Sequence, residues 1–303
     1  MGCLALPKLI ISMDNPVFSK IHCPTNISAG HRKLMKKKLF SSLALGLAIG
    51  ASAPAATYFQ DFTFADGTTN LGDGTTIGSS EAGVAGTINS VQSNALRITQ
   101  VNTNNQRASF RIPALPNSSL GWTATFDYTM TDAVGGNPPA DGFTFNYGNI
   151  LALTTQGAAP DGHGAAEAGM GGTVISAQVD TWRNGDANSP GVGILQNGAL
   201  LAGGRTDGTV VPTDGSVSGT MSITWTPADI TFTTTGLTTN ASFASLAHTF
   251  AGNDAYGWAF SARTGGATQD LIIDNLRIVT IPEPSGLALL GLGLSGLIMR
   301  RRR

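Results

Sequence analysis

The sequence predicts an all-β fold, an antiparallel β-sandwich of the jelly-roll kind, followed by one short C-terminal hydrophobic helix. Three observations predict it. Between residues 57 and 280, short runs of alternating apolar and polar residues recur between Gly, Asn and Asp turns. Helical periodicity is absent from that stretch, which argues against parallel strands joined by helical crossovers. Only 12% of the 303 residues are charged, about half the usual share. That excludes a coiled coil and a charged disordered chain.

Taken from the N-terminus, Met35-Lys36-Lys37-Lys38, the apolar run 39–50 and the small residues Ala51-Ser52-Ala53-Pro54-Ala55-Ala56 read as a secretory signal peptide over residues 35–56. Such signals begin a chain. Met35 is therefore the expected start and residues 1–34 a mis-assigned N-terminal extension, with a long leader as the alternative. Cys3 and Cys23 both lie in that extension. The body is left without a thiol for a disulfide, a zinc site or a nucleophile.

Residues 57–280 read as one domain. Its clearest strand begins at Trp122. Ala124, Phe126, Tyr128 and Met130 share the Trp122 face, and Thr123, Thr125, Asp127, Thr129 and Thr131 share the other. This is the period-two pattern of a half-buried strand. Similar runs are Leu96–Val101, Ala108–Ile112, Phe143–Tyr147, Val174–Trp182, Met221–Thr226, Ile230–Thr235, Tyr256–Ala262 and Leu271–Val279. Asn197-Gly198, between Gly193–Gln196 and Ala199–Ala202, signals a two-residue hairpin of type I′. No repeat period of a solenoid or propeller stands out.

Residues 281–303 hold Pro282-Glu283-Pro284, fourteen residues of apolar character from Gly286 to Met299, and Arg300 to Arg303. A stable membrane span needs about 20 residues, and terminal arginines stay cytoplasmic, which places the body outside. Pro-Glu-Pro, short helix and basic end, in this order, resemble the PEP-CTERM sorting signal of Gram-negative bacteria. The resemblance implies an exosortase-type sorting protease as partner and transient anchoring in the inner membrane through the helix. Delivery to the cell surface or extracellular matrix would follow. A plain C-terminal anchor would leave the body on the same side.

The formal net charge of −1 averages unlike segments. Of 18 Lys and Arg, seven precede residue 39 and four close the chain; the seven between are all arginine and face 17 carboxylates, a net charge of about −10. A body this acidic does not track a phosphate backbone, so nucleic acid is excluded as a partner.

Two stretches carry candidate chemistry. Ala140-Asp141-Gly142-Phe143-Thr144-Phe145 places an acid at the entry of a strand. Val179-Asp180-Thr181-Trp182-Arg183-Asn184-Gly185-Asp186 ends a strand in oxygen donors at Asp180, Asn184 and Asp186. Calcium takes such carboxylates and amides together with backbone carbonyls; by residue type alone the stretch also reads as a solvated Asp/Asn turn. Pro190-Gly191-Val192-Gly193-Ile194 follows, and later Gly257-Trp258-Ala259-Phe260-Ser261-Ala262-Arg263-Thr264-Gly265-Gly266. In order and type these segments resemble the L-type, legume-like lectin family, with its Gly-Phe-Ser-Ala-x-Thr-Gly segment and its closing strand at Leu271–Ile278. The match runs from about Tyr58 to Val279.

The resemblance implies a concanavalin A-like sandwich that binds a polysaccharide or glycan with the help of calcium. Asp141 would accept from sugar hydroxyls, the Asn184 amide would reach the sugar, and Gly172 would donate a backbone N–H. Asp180, Asn184, Asp186 and the Trp182 carbonyl would hold calcium. Gln178 and Gly191 stand where legume lectins carry the carboxylate and histidine of a second site, so no transition metal is expected. An enzyme is not expected either. A glycoside hydrolase needs a spaced carboxyl pair, whereas Gln178 lies two residues before Asp180 and the body's only glutamates are Glu81 and Glu167, both in Gly/Ala-rich segments. His163, in the Gly-rich stretch Asp161-Gly162-His163-Gly164, reads as solvated and His248 as structural. The remaining rival is a structural matrix protein that keeps the fold without the sugar site.

Overall fold

Fifteen strands form among the described residues. The first eight are β1 (Thr57–Gln60), β2 (Thr76–Ser79), β3 (Ser90–Gln92), β4 (Ala95–Thr99), β5 (Arg107–Ile112), β6 (Trp122–Asp132), β7 (Gly142–Gly148) and β8 (Val174–Asp180). They are followed by β9 (Gly191–Gln196), β10 (Ala199–Asp207), β11 (Ser216–Trp225), β12 (Asp229–Thr234), β13 (Ser242–Ala247), β14 (Gly257–Arg263) and β15 (Gln269–Thr280). In this computed structural model the described residues are 54–79, 90–101, 103–132, 141–150, 173–182, 190–212 and 215–282. The chain divides into two units, Met1–Ala48 and Ile49–Arg303, and all described residues belong to the second. The expected extension, most of the signal peptide, the C-terminal helix, Glu283 and Pro284 lie outside them.

Every pairing is antiparallel, and the strands form two sheets. One runs β13-β12-β11-β6-β15-β4-β3, with β1 added against β15; the other runs β10-β9-β8-β7-β14-β5-β2. The described residues contain no α-helix. Strand β6 is built as its alternation predicts: Trp122, Ala124, Phe126, Tyr128 and Met130 are buried while Thr123, Thr125 and Thr129 are only half-buried. The half-buried face is laced across strands, with Thr123 Oγ1 2.9 Å from Thr224 Oγ1 and Thr129 Oγ1 2.8 Å from Ser218 Oγ.

Aromatic rings fill the space between the sheets. Trp122 meets Tyr147 at 5.1 Å between ring centroids, Phe126 meets Phe260 at 4.7 Å, and Tyr147 meets Trp225 at 5.5 Å. Each pair joins one sheet to the other, as in a face-to-face sandwich. His248 belongs to this packing. Its ring lies over Trp225 at 5.8 Å, its Nδ1 accepts from the Phe250 N–H, and its Nε2 lies 2.9 Å from the Thr226 carbonyl.

Strands β7 and β8 are buried along their whole length. Exposure therefore does not alternate, but chemistry does. Phe143, Phe145 and Tyr147 join the core, while Thr144 and Asn146 lie on the opposite, equally buried face. There Asn146 Nδ2 donates to Thr144 Oγ1 (3.0 Å) and the Ala259 carbonyl (3.1 Å), and Ser176 Oγ donates to Asn146 Oδ1 (2.6 Å). Buried polar groups are tolerated because they are paired in this way.

The β9–β10 hairpin has the turn its sequence predicts. Ala199 pairs with Gln196, and the two loop residues have φ of 52° at Asn197 and 81° at Gly198, as a type I′ turn requires. Asn197 Oδ1 also accepts the Val174 N–H at 2.9 Å. Asn197→Ala removes that bond and a residue tolerant of positive φ, at an expected cost of about 1–2 kcal/mol. The expected readout is a lower urea midpoint with an unchanged slope.

Candidate functional site

The register of β7 against β8 decides where the two candidate acids stand. Gly142 pairs with Asp180, so the residue that enters β7 and the residue that ends β8 lie at one end of adjacent strands. Gly142 has φ of +115°, and a Cβ there would lie 2.0 Å from the Val179 carbonyl oxygen. Only glycine lets the two backbones approach this closely. The Asp141 backbone is tied on both sides: its N–H donates to the Arg263 carbonyl (2.9 Å), and its carbonyl accepts the Thr181 N–H (3.2 Å).

Asp141 is buried at 3% exposure. Its Oδ2 accepts from Arg263 Nε at 2.7 Å, and Oδ1 has no partner among the described residues. Gly265 lies against the carboxylate, where a Cβ would stand 3.4 Å from either oxygen. Burial pushes the Asp141 carboxyl above its ordinary range, and the adjoining Arg263 guanidinium pulls it back in part.

Asp180 is equally buried, at 1% exposure. Its Oδ1 accepts the Trp182 N–H at 3.2 Å, and its Oδ2 lies 3.7 Å from Arg205 Nη2. That separation allows ionic attraction but is too long for a hydrogen bond, and Nη2 is indeed buried without one. The rest of the guanidinium is held firmly. Arg205 Nη1 donates to Gln178 Oε1 (3.0 Å) and Nε donates to Asp207 Oδ1 (2.8 Å). The group rests on Gly191, where a Cβ would come within 2.8 Å of Nη2 and 2.9 Å of Nε. The missing side chain at 191 is the space the guanidinium fills.

The structure thus brings Asp141, Asp180 and half-buried Trp182 to one end of the second sheet. Gly172, Asn184 and Asp186 lie outside the described residues, as do His163, Glu81 and Glu167. Among the described residues no three His, Cys, Asp or Glu stand together as a metal site. The oxygens of Asp180 suit calcium in kind, with one balancing positive charge already supplied by Arg205. The two arginines are what sequence reasoning missed. Arg263 occupies the variable position of the Gly-Phe-Ser-Ala-x-Thr-Gly segment, and Arg205 lies on a hairpin strand 27 residues beyond Gln178. Their one signal in the sequence is that every cation in this acidic interior is arginine, the residue suited to pairing with carboxylates.

Comparisons with known proteins bear on both ends of this description. Residues 280–303 match the PEP-CTERM protein-sorting motif. The chain carries a sorting motif and a legume-lectin-like fold. The motif implies export and sorting by an exosortase. The fold is similar to that of peanut lectin solved with a 9mer peptide, at 13% identity and a TM-score of 0.55, covering 77% of this chain and 100% of that one. It is similar to basic winged bean lectin solved with Tn-antigen, at 16% identity and a TM-score of 0.56, covering 76% and 100%. Likewise it resembles the Bauhinia forficata lectin solved with GalNAc, at 15% identity and a TM-score of 0.51, covering 74% and 97%. No curated protein sequence matches the chain.

Proposed function

We propose that this chain is an exported carbohydrate-binding protein of the bacterial cell surface or extracellular matrix, not an enzyme. The observation that supports it most is the placement of Asp141 and Asp180 at one end of β7 and β8 within this fold. In this reading Asp141 Oδ1 accepts from a sugar hydroxyl, with the Asn184 amide and the Gly172 backbone N–H as donors. Calcium is held by Asp180, the Trp182 carbonyl, Asn184 and Asp186, and it supplies a fixed charge that orders the loop beside the sugar. Residues 35–56 serve as the export signal after an extension at 1–34. Pro282-Glu283-Pro284 and the helix behind it anchor the chain transiently in the inner membrane until an exosortase-type protease acts.

The test is a glycan array probed with the full-length chain in detergent, in calcium and in EDTA. Binding is expected in calcium and strongly reduced in EDTA. Asp141→Ala is expected to weaken it about 10- to 100-fold, the share of one hydrogen bond to a charged group, with the circular dichroism unchanged. Binding that persists in EDTA removes calcium from the reading. No binding to any glycan leaves a structural matrix protein on the same fold.

A further inference from the structure

Strand β15 runs from the candidate site to the opposite end of the sandwich. At its start Gln269 pairs with Asp132, where β6 ends, and at its finish Thr280 pairs with Trp122, where β6 begins. The Gln269 end is the site end: Gln269 Nε2 donates to the Gly142 carbonyl at 3.2 Å, and Gly142 follows Asp141 and pairs with Asp180. From Trp122 to Asp132 is ten residue steps, about 33 Å at the rise of an extended strand.

The chain enters and leaves the sandwich at the other end, the one that holds Thr280. Thr57 pairs with Val279. Just before it, the Ala56 N–H donates to Thr280 Oγ1 (2.9 Å), and the Thr280 N–H donates to the Ala56 carbonyl (2.9 Å). Ile281 is tied down too, its N–H donating to the Gly121 carbonyl at 2.8 Å. Beyond it Pro282 is exposed. The apolar run of the sorting motif starts at Gly286, five residue steps after Ile281. Five extended residues reach at most about 18 Å, well short of the distance between the two ends.

A body tethered this closely either stands on the membrane by its chain ends or lies along it on one side. Lying flat needs an apolar side, since binding at a lipid interface scales with the apolar area buried there. The outer face of β6, the central strand of the first sheet, carries Thr123, Thr125, Asp127, Thr129 and Thr131. Among the described residues the exposed large apolar side chains are Phe59 and Ile281. Both lie nearer the chain ends than the site, Phe59 opposite Arg277, three residues before Thr280.

We propose that the anchored body stands with the end that holds Ala56 and Ile281 against the lipid surface. The Asp141 and Asp180 site is then held at the far end, facing away from the membrane. It is open to a glycan while the chain is still anchored, and removal of the sorting helix is not needed to uncover it. This inference rests on the transient-anchoring and carbohydrate-binding readings and adds an orientation to them.

The test reconstitutes the full-length chain into phosphatidylcholine vesicles that contain a lipid with a nitroxide quencher on its headgroup. Cys3→Ser and Cys23→Ser remove both thiols of the chain, so one introduced cysteine carries one fluorophore. Thr57→Cys labels the chain-end side and Gly266→Cys the site side. Both positions are exposed; a Cβ at Gly266 has nothing within 4 Å, and the adjoining Gly265 lies against the Asp141 carboxylate. Relative to vesicles without nitroxide, the Thr57 label is expected to lose much of its emission and the Gly266 label almost none. Equal loss at the two positions means that the body lies flat, and greater loss at Gly266 means that it is inverted; either overturns the orientation and leaves anchoring intact. Quenching of neither label also overturns it, and where the chain fails to float with the vesicles the anchoring reading falls as well. No glycan enters the measurement, so its outcome is separate from that of the glycan array.

Discussion

Replacing Gly142 by alanine is expected to destabilise the body by about 3–5 kcal/mol, summing the strain of a non-glycine residue at this φ and the overpacking of a closed contact. The new Cβ would stand 2.0 Å from the Val179 carbonyl oxygen and 3.0 Å from its carbon. Neither atom is the free end of a side chain. Both are backbone of β8, the strand paired with β7 through Asp180, so the contact is relieved only by parting the two strands. At φ of +115° the backbone lies where alanine is strained even in open space. Gly67→Ala separates the two costs. Gly67 has φ of +83° with nothing within 4 Å of its Cβ position, and its substitution is expected to cost about 1 kcal/mol. For a domain of this size the Gly142 variant should melt about 10 °C lower and the Gly67 variant about 3 °C lower. Similar shifts in the two variants would mean that backbone strain alone matters at Gly142. On the proposed carbohydrate-binding reading, the Gly142 variant should also lose glycan binding before it unfolds, because Asp141 and Asp180 are held at this pairing of β7 with β8.

Most of the sandwich was legible in the sequence because its central strands alternate cleanly. The run from Trp122 predicts β6, and its buried set is the one the alternation picks out. The runs at Leu96, Ala108, Met221, Ile230, Tyr256 and Leu271 match β4, β5, β11, β12, β14 and β15 to within a few residues. The strands not foreseen are β1, β2, β3 and β13, which are 4, 4, 3 and 6 residues long. The first three are too short to carry enough alternations to register against threonine-rich and glycine-rich surroundings. β13 is as long as β5, but its alternation is broken where its pairing with β12 shifts, with Ala244 and Ser245 both exposed after buried Phe243.

The candidate site divides along a physical line. Asp141 and Asp180 could be picked out because each lies in a local pattern, an acid entering or leaving an apolar strand. The residues that set their electrostatics could not. Arg263 reaches Asp141 across 122 positions of sequence, and only the order β8-β7-β14-β5 brings the two together. Local spacing carries no information of that kind. The absence of a side chain at Gly191 was visible in the sequence, but what fills the space was not.

Arg205→Met is the second substitution with a large expected effect, a loss of about 3–5 kcal/mol. It keeps most of the volume and removes the charge, leaving Asp180 buried without the cation beside it, the costly half of breaking a buried pair. The Gln178 amide loses its donor as well. Asp207 contributes little to this cost, because its side chain is 66% exposed and water can replace the arginine there. Arg205→Lys keeps a charge but cannot span Gln178 and Asp207 together, so its loss should fall between wild type and Arg205→Met. Gly191→Ala reaches the same group from the other side, since its Cβ would stand 2.8 Å from Nη2, and it also meets the Thr206 carbonyl oxygen at 2.6 Å. The two changes share the guanidinium contact but not the Thr206 one, so the double variant should cost somewhat less than the two single losses added. Additive losses would show that Arg205 and Gly191 act separately. Calcium then gives the arginine's role a readout beyond packing. On the proposed reading, a calcium ion held by Asp180 becomes its counter-charge once the guanidinium is gone. Melting of the Arg205→Met chain should therefore respond more strongly to calcium against EDTA than melting of the wild type. Equal calcium responses in the two chains would mean that Arg205 and the loop cation do not share Asp180.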